Sequence, residues 1–362
     1  MELDIRGGVR AAPVAGRTPE ERQALRLAPD PRERTADPDH VARTAREAEE
    51  DGFDSALVVQ SSSWPDPWLA AAWALAATRR LRIAVAHRAG TTAPTVAARS
   101  LATLDRLSGG RAAAHLIVGS SDADVLRDGD GLGKTDRYRR AAEYLEVFRR
   151  TLTERQGFDH EGEFYSVRDA LSGLRPQPGG ELLSFGGSSP EGRDLAARHA
   201  EVYAIPPLPL AATRRTIAEI RSAAAAYGRT LRIWRHITVV LDASDEEAEA
   251  RARRITRDAL RLTSGADSAR WTEAVQLDRD RERGRADPDQ GRAQVAAYVR
   301  RSIAGSYVGS PETVAERIGL LRTAGVDTVQ LDTAVETDQD RQLRRDLVTL
   351  LKRPELARRR GW

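Results

Sequence analysis

The chain has 362 residues, 40% of them hydrophobic and 31% charged, and its 57 Lys and Arg against 54 Asp and Glu leave a formal net charge of +3. That length accommodates one large domain or two ordinary ones, and the absence of Cys excludes disulfides, thiolate catalysis and Cys-ligated metals. Acidic residues interleave with Arg throughout, so no basic stripe marks a nucleic-acid surface. The start Met1-Glu2-Leu3-Asp4 has no basic or apolar leader character, and no apolar run approaches the ~20 residues of a membrane span, so a soluble, cytoplasmic protein is expected.

Residues 2–6 read as a first strand, and residues 7–37, rich in Arg, Pro and Ala, as a long loop. Asp37 or Asp39 caps a helix that Gly52 stops. Phe53 to Gln60 is a buried strand, and Asp66 caps a helix over 67–78. A strand at Leu81 to Ala86 leads to Pro94, which opens the helix 95–107; Gly109-Gly110 ends it, and Ala112 to Val118 is the next strand. A helix at 136–153 follows, then a hairpin-like insertion near 157–175. The strand 182–186, helix 190–199, short strand 201–205, helix 210–227 and strand 231–241 continue the alternation. Residues 243–306 break it, with dense charge and no convincing strand. A helix at 311–324, a strand at Thr328 to Leu331 and a helix at 338–351 close the chain.

Eight short apolar strands alternating with amphipathic helices mean parallel βαβ units. Eight such units favour a (β/α)8 TIM barrel over an open doubly wound sheet, as one domain over 1–362 with insertions near 157–175 and 243–306. In such a barrel the site lies at the C-terminal strand ends. That rule selects Gln60 to Ser63, His87-Arg88, His115 with Gly119-Ser120-Ser121, Gly187-Ser188-Ser189, and Arg235-His236. Leu182 to Ser189 (LLSFGGSS) is a strand, a Gly-Gly turn and two hydroxyls before a helix start, which suits a phosphate; taken alone, it is better read as a strand–loop–helix turn with an N-cap Ser. No His-x-His or inward carboxylate cluster marks a metal centre.

Five stretches then fall in order: Thr91 to Arg111 (TTAPTVAARSLATLDRLSGGR), Val118-Gly119-Ser120, Asp136-Arg137-Tyr138 with Glu143-Tyr144, Phe185 to Ser189, and Val308 to Ile318 (VGSPETVAERI). Together they resemble the bacterial luciferase-like flavin monooxygenases, and within them the alkanesulfonate monooxygenases, from about residue 40 to about 350. The resemblance implies a barrel that takes reduced FMN (FMNH2) from a separate NAD(P)H-dependent flavin reductase. It implies reaction with O2 through a C4a-(hydro)peroxyflavin, transfer of one oxygen atom to a small organic substrate, and a homodimer or homotetramer. The family's phosphate contacts fall on Tyr138, Ser188 and Ser189, beside Gly187 and Ser120; a helix residue packing on its neighbour is the plain alternative for Tyr138.

The substrate end departs from the pattern. Where the family has Asn-x-x-Thr-Gly on the fourth strand, this chain has His115-Leu116-Ile117-Val118-Gly119, so His115 is either a partner for the flavin edge or a core histidine. A family Cys aligns with Trp64, a family His with Thr238, a family Tyr near Ala334 and a family Arg with His236, while Arg300 is retained. A sulfonate is best held by paired guanidinium groups, so this exchange points to a larger, flatter or less charged substrate. Trp64, Arg300 and His87 are the candidate substrate contacts, and His236, Arg300 and His115 the candidate catalytic groups. His236 is placed inward and Arg235 outward, on alignment. A lid is expected around Asp278 to Arg285. The competing readings are an F420-dependent oxidoreductase of the same superfamily and a non-catalytic flavin-binding barrel.

Overall fold

A computed structural model describes residues 2–13, 22, 35–62, 64–119, 122–178, 182–263, 296–297, 299–333 and 335–353. The first half runs β1 (Asp4–Val9), α1 (Pro38–Glu50), β2 (Ser55–Val58), α2 (Pro67–Ala77), β3 (Arg82–Arg88), α3 (Pro94–Ser108), β4 (Ala112–Ile117), α4 (Asp122–Arg127) and α5 (Lys134–Thr153). The hairpin β5 (Phe158–Glu161) and β6 (Ser166–Ala170) follows, then β7 (Leu183–Gly186), α6 (Pro190–His199), β8 (Val202–Ile205), α7 (Leu210–Ala226) and β9 (Arg232–Leu241). The chain ends with α8 (Asp245–Thr263), β10 (Tyr307–Gly309), α9 (Pro311–Thr323), β11 (Thr328–Thr333) and α10 (Asp338–Leu351).

Eight of these strands form a closed parallel barrel in the order β1-β2-β3-β4-β7-β8-β9-β11. The long β9 closes it: Arg232 to Arg235 pair with β8, and Trp234 to Val239 pair with β11. The expected (β/α)8 architecture is therefore present. The hairpin β5–β6 is antiparallel, at the insertion expected near 157–175. Two elements lie outside the sequence reading. The three-residue β10 pairs with Val239 to Leu241 beyond the ring, and the six-residue α4 follows β4. Both are too short to carry a hydrophobic period.

The two faces of the barrel wall differ in size. The outward side chains, such as Ile5, Ile83, Val85, Leu116 and Ile233, pack under the helices in one large core. The inward ones are mostly small: Ala84, Ala86, Ala113 and Ala204 surround Leu57, Val202 and Trp234. Local signals set the helix starts: Asp37 accepts from Asp39 N and His40 N at 3.0 Å, and Asp66 from Leu69 N at 2.9 Å. The last helix is pinned to the first by Asp51, whose carboxylate, wholly buried, takes Arg341 Nε at 3.0 Å, Arg344 Nε at 2.9 Å and Arg345 Nε at 2.6 Å. Among the described residues, no helix is long and apolar enough to cross a membrane, and no group of acidic and His side chains is placed to hold a metal.

Candidate active site

The turn after β7 brings three elements together. Tyr138, on α5 and nearly buried, holds its hydroxyl where a Gly187 Cβ would come within 3.0 Å. Tyr203, on β8, donates to Gly187 O at 2.7 Å and fixes the turn. Ser188 is exposed, and Ser189 caps α6 by accepting from Gly192 N at 3.2 Å. The Glu191 carboxyl is held below its usual range by its own backbone N–H and by the nearby Ser189 hydroxyl. Beneath, Arg137 is fully buried: its Nε donates to Val118 O at 3.0 Å, and its Nη1 to Leu132 O at 2.7 Å and Asp122 at 2.8 Å. Among the described residues its Nη2 has no partner.

His115 faces the barrel interior from β4. Its Nδ1 lies 2.9 Å from Ser184 Oγ, and its ring meets Trp234 edge-on at 4.5 Å. A Cβ at Gly186 would stand 3.1 Å from His115 Cε1 and Nε2, so the glycine keeps that ring edge uncovered on one side. Burial, and then the Arg6 charge, push the His115 pKa down to about 3, so the ring is neutral around pH 7 and serves as a hydrogen-bonding group.

A third group lies at the mouth of β1, β2, β9 and β11, in a cavity of about 670 Å³. It includes Trp64, His236, Gln330 and Asp332. His236 points inward, while its neighbour Arg235 points outward and donates to Thr213 Oγ1 at 2.8 Å. The surrounding walls lower the His236 pKa, which the nearby Asp332 raises and Arg10 lowers further. Gln330 pairs in register with His236 on the adjacent strand, is 8% exposed, and leaves its Oε1 buried without a partner.

His87 is not at this mouth. It points outward from β3, with Trp68 Nε1 donating to its Nδ1 at 3.2 Å, which leaves the Nε2 proton for the Tyr144 hydroxyl at 2.6 Å. Burial lowers its pKa to about 4. A direct substrate contact is closed to it, because barrel strands alternate and Arg88 holds the inward phase. Arg88 donates through its backbone to Gln60 Oε1 at 2.6 Å and through its guanidinium to Asp124 at 2.7 Å and Asp128 at 2.8 Å. Asp124, on α4, also accepts from Ser61 Oγ at 3.1 Å, Ser62 N at 3.1 Å and Ser62 Oγ at 2.7 Å. This clasp joins the Trp64 loop to the loop after β4. Arg300 is exposed on a helical stretch at 299–304 and does not line the cavity. Ser120, Ala334 and the segment Asp278 to Arg285 lie outside the described residues. Arg137, Asp124 and Gln330 were missed as site residues in the sequence; only the Arg137-Tyr138 pairing gave a local signal.

The family model for luciferase-like monooxygenase matches residues 16–328. Among solved structures, the chain superposes on an EDTA monooxygenase from Chelativorans sp. BNC1 with TM-score 0.72 and 19% identity, over 97% of this chain and 94% of that one. A riboflavin lyase with modified FMN and riboflavin gives 0.76 and 20%, over 97% and 91%. An F420-dependent secondary alcohol dehydrogenase in complex with an F420-acetone adduct gives 0.72 and 16%, over 98% and 100%. At these identities the likeness is one of fold.

Proposed function

Because the chain belongs to the luciferase-like monooxygenase family, we propose that it is an FMN-type flavin monooxygenase that uses O2 on a small organic substrate. The observation that carries this reading is the cradle of Tyr138, Gly187, Ser188 and Ser189. A single Cβ at Gly187 would fill it, and a polar atom stands unpartnered on the adjacent Arg137. These residues suit a phosphate: two hydroxyls and a phenol can donate to its oxygens, and α6 starts beside them. Trp234 Nε1, buried without a partner beside His115, supplies a donor at the barrel core. When bound, reduced flavin supplies the electrons that activate O2.

The chain's own residues divide the remaining work. Tyr138, Ser188 and Ser189 would hold the phosphate end and orient the ring toward the mouth. Neutral His115, fixed by Ser184, would meet the ring edge without exchanging protons near pH 7. His236, with its lowered pKa, offers a ring nitrogen that accepts a proton at the substrate end, where Asp332 stabilises the resulting charge. Reduced FMN would come from an NAD(P)H-dependent flavin reductase. Self-association is supported by α2, which is apolar all round yet leaves Leu69 74% and Trp73 55% exposed.

The test is oxygen uptake with photoreduced FMN, with and without candidate substrates, beside anaerobic incubation with reduced F420. Uptake that becomes coupled to product with a substrate supports the reading. Anaerobic hydride transfer from F420, with no oxygen use on FMN, overturns it.

A further inference from the structure

Resting on the flavin reading above, we propose that the cavity between β9 and β11 takes a neutral, planar, hydroxyl-bearing substrate of the phenol type, its O–H directed at His236 and Gln330. The argument starts from which polar groups are already committed. Arg10 faces Asp332 at 3.9 Å, and Arg22 Nε donates to Glu336 at 2.6 Å. Arg341 and Arg344 are held by Asp51 and Glu50. Arg43, at the outer end on α1, is hydrogen-bonded to His40 at 3.3 Å. A sulfonate or carboxylate pairing with any of these except Arg43, which is exposed at the outer end, would have to take a guanidinium from a carboxylate already in place, at the cost of leaving that carboxylate exposed to it.

The uncommitted groups have the opposite character. Among the described residues His236 has no hydrogen-bond partner, and the surrounding walls lower its pKa. Gln330 is more than nine-tenths buried, directed into the same cavity by its register with His236, and its amide oxygen lacks a donor. A buried acceptor without a donor favours a ligand that brings one. Leu57 and Val59 at the wall and Trp64 at the rim give the cavity an apolar part that suits a flat ring, while Glu47, Glu336 and Asp338 in the same lining disfavour an anion.

The experiment compares two ligands with the same ring system, 2-naphthol and naphthalene-2-sulfonate, by calorimetric titration of the full chain loaded with FMN. Naphthol is expected to bind at least ~10-fold tighter than the sulfonate. His236→Ala and Gln330→Leu should each weaken naphthol about 2- to 10-fold, the loss of one neutral hydrogen bond. His236→Asn, which keeps a polar group of similar size, should recover part of it and guards against misfolding as the cause. Equal or tighter binding of the sulfonate, or naphthol affinity unchanged in both variants, overturns the proposal. FMN affinity is measured separately by flavin fluorescence. Failure to bind FMN removes the flavin reading, whereas intact FMN binding without naphthol binding removes this proposal alone.

Discussion

Gly187→Ala isolates the phosphate end of the site. Gly187 is not at a left-handed backbone angle, so alanine introduces no backbone strain there. Its methyl would stand 3.0 Å from Tyr138 Oη, 3.1 Å from Phe185 Cε1 and 3.4 Å from Gly192 Cα. The phenol end of Tyr138 must yield by a few tenths of an ångström, and the space between it and the α6 start closes. If one hydrogen bond to a charged phosphate is lost, the cost is about 1.5–3 kcal/mol, or about 10- to 100-fold in FMN affinity. Riboflavin, which has the same ring and no phosphate, should change by less than about 3-fold. Quenching of flavin fluorescence, titrated with both ligands, reads the difference. Parallel loss of FMN and riboflavin affinity would refute the phosphate assignment, and unchanged FMN affinity would show that the cradle is not used.

Two further outcomes concern stability. His87 and His115 have pKa values of about 4 and about 3 in the fold against an ordinary 6.5. Unfolded chains therefore bind more protons below pH 6.5, and the stability these rings contribute, complete above that pH, is lost as pH falls toward 4. At about pH 4.5 each costs on the order of 2–3 kcal/mol. Urea midpoints of the wild type and of His87→Asn/His115→Asn should converge as the pH is lowered, and a constant gap between them would argue against it. Asp51→Asn removes the charge that three guanidiniums share. Breaking a buried pair costs ~3–5 kcal/mol, and because these arginines are partly exposed we expect about 2–3 kcal/mol. The Asp51 carboxyl is held below its ordinary 3.8 by Arg344, Arg345 and Arg341 against the opposing effect of burial. The difference between variant and wild type should thus be full above pH 3.8 and shrink below it; an unchanged urea midpoint at neutral pH would be the contrary result.

The barrel was legible because each of its eight strands and the long helices between them announced themselves through a local period, a cap or a Gly-Pro boundary. Strand phase was harder. β3 reads Arg82-Ile83-Ala84-Val85-Ala86-His87-Arg88, apolar on both faces, so nothing in it says whether His87 or Arg88 turns inward. Arg88 does, and it is spent on Asp124 and Asp128, 36 and 40 residues away. Partners at that separation have no local signature, which is also why Asp124 went unnoticed. Gln330 was hidden differently: the Thr328 to Leu331 strand was visible, but its unmet amide oxygen becomes apparent only once the ring closes around it.

The clasp of Arg88 and Asp124 limits how this mouth can be remodelled. Ser61 and Ser62, which precede Trp64, donate to Asp124, and Gln60 accepts from the backbone of Arg88, whose guanidinium holds the same Asp124. The two loops therefore behave as one transplantable unit. Grafting a new Trp64 loop to alter selectivity, while leaving α4 in place, would leave one Asp124 oxygen without its serine donors and the Arg88 backbone N–H without Gln60. Exchanging residues 60–64 and 119–128 together with Arg88 would carry the joint across intact.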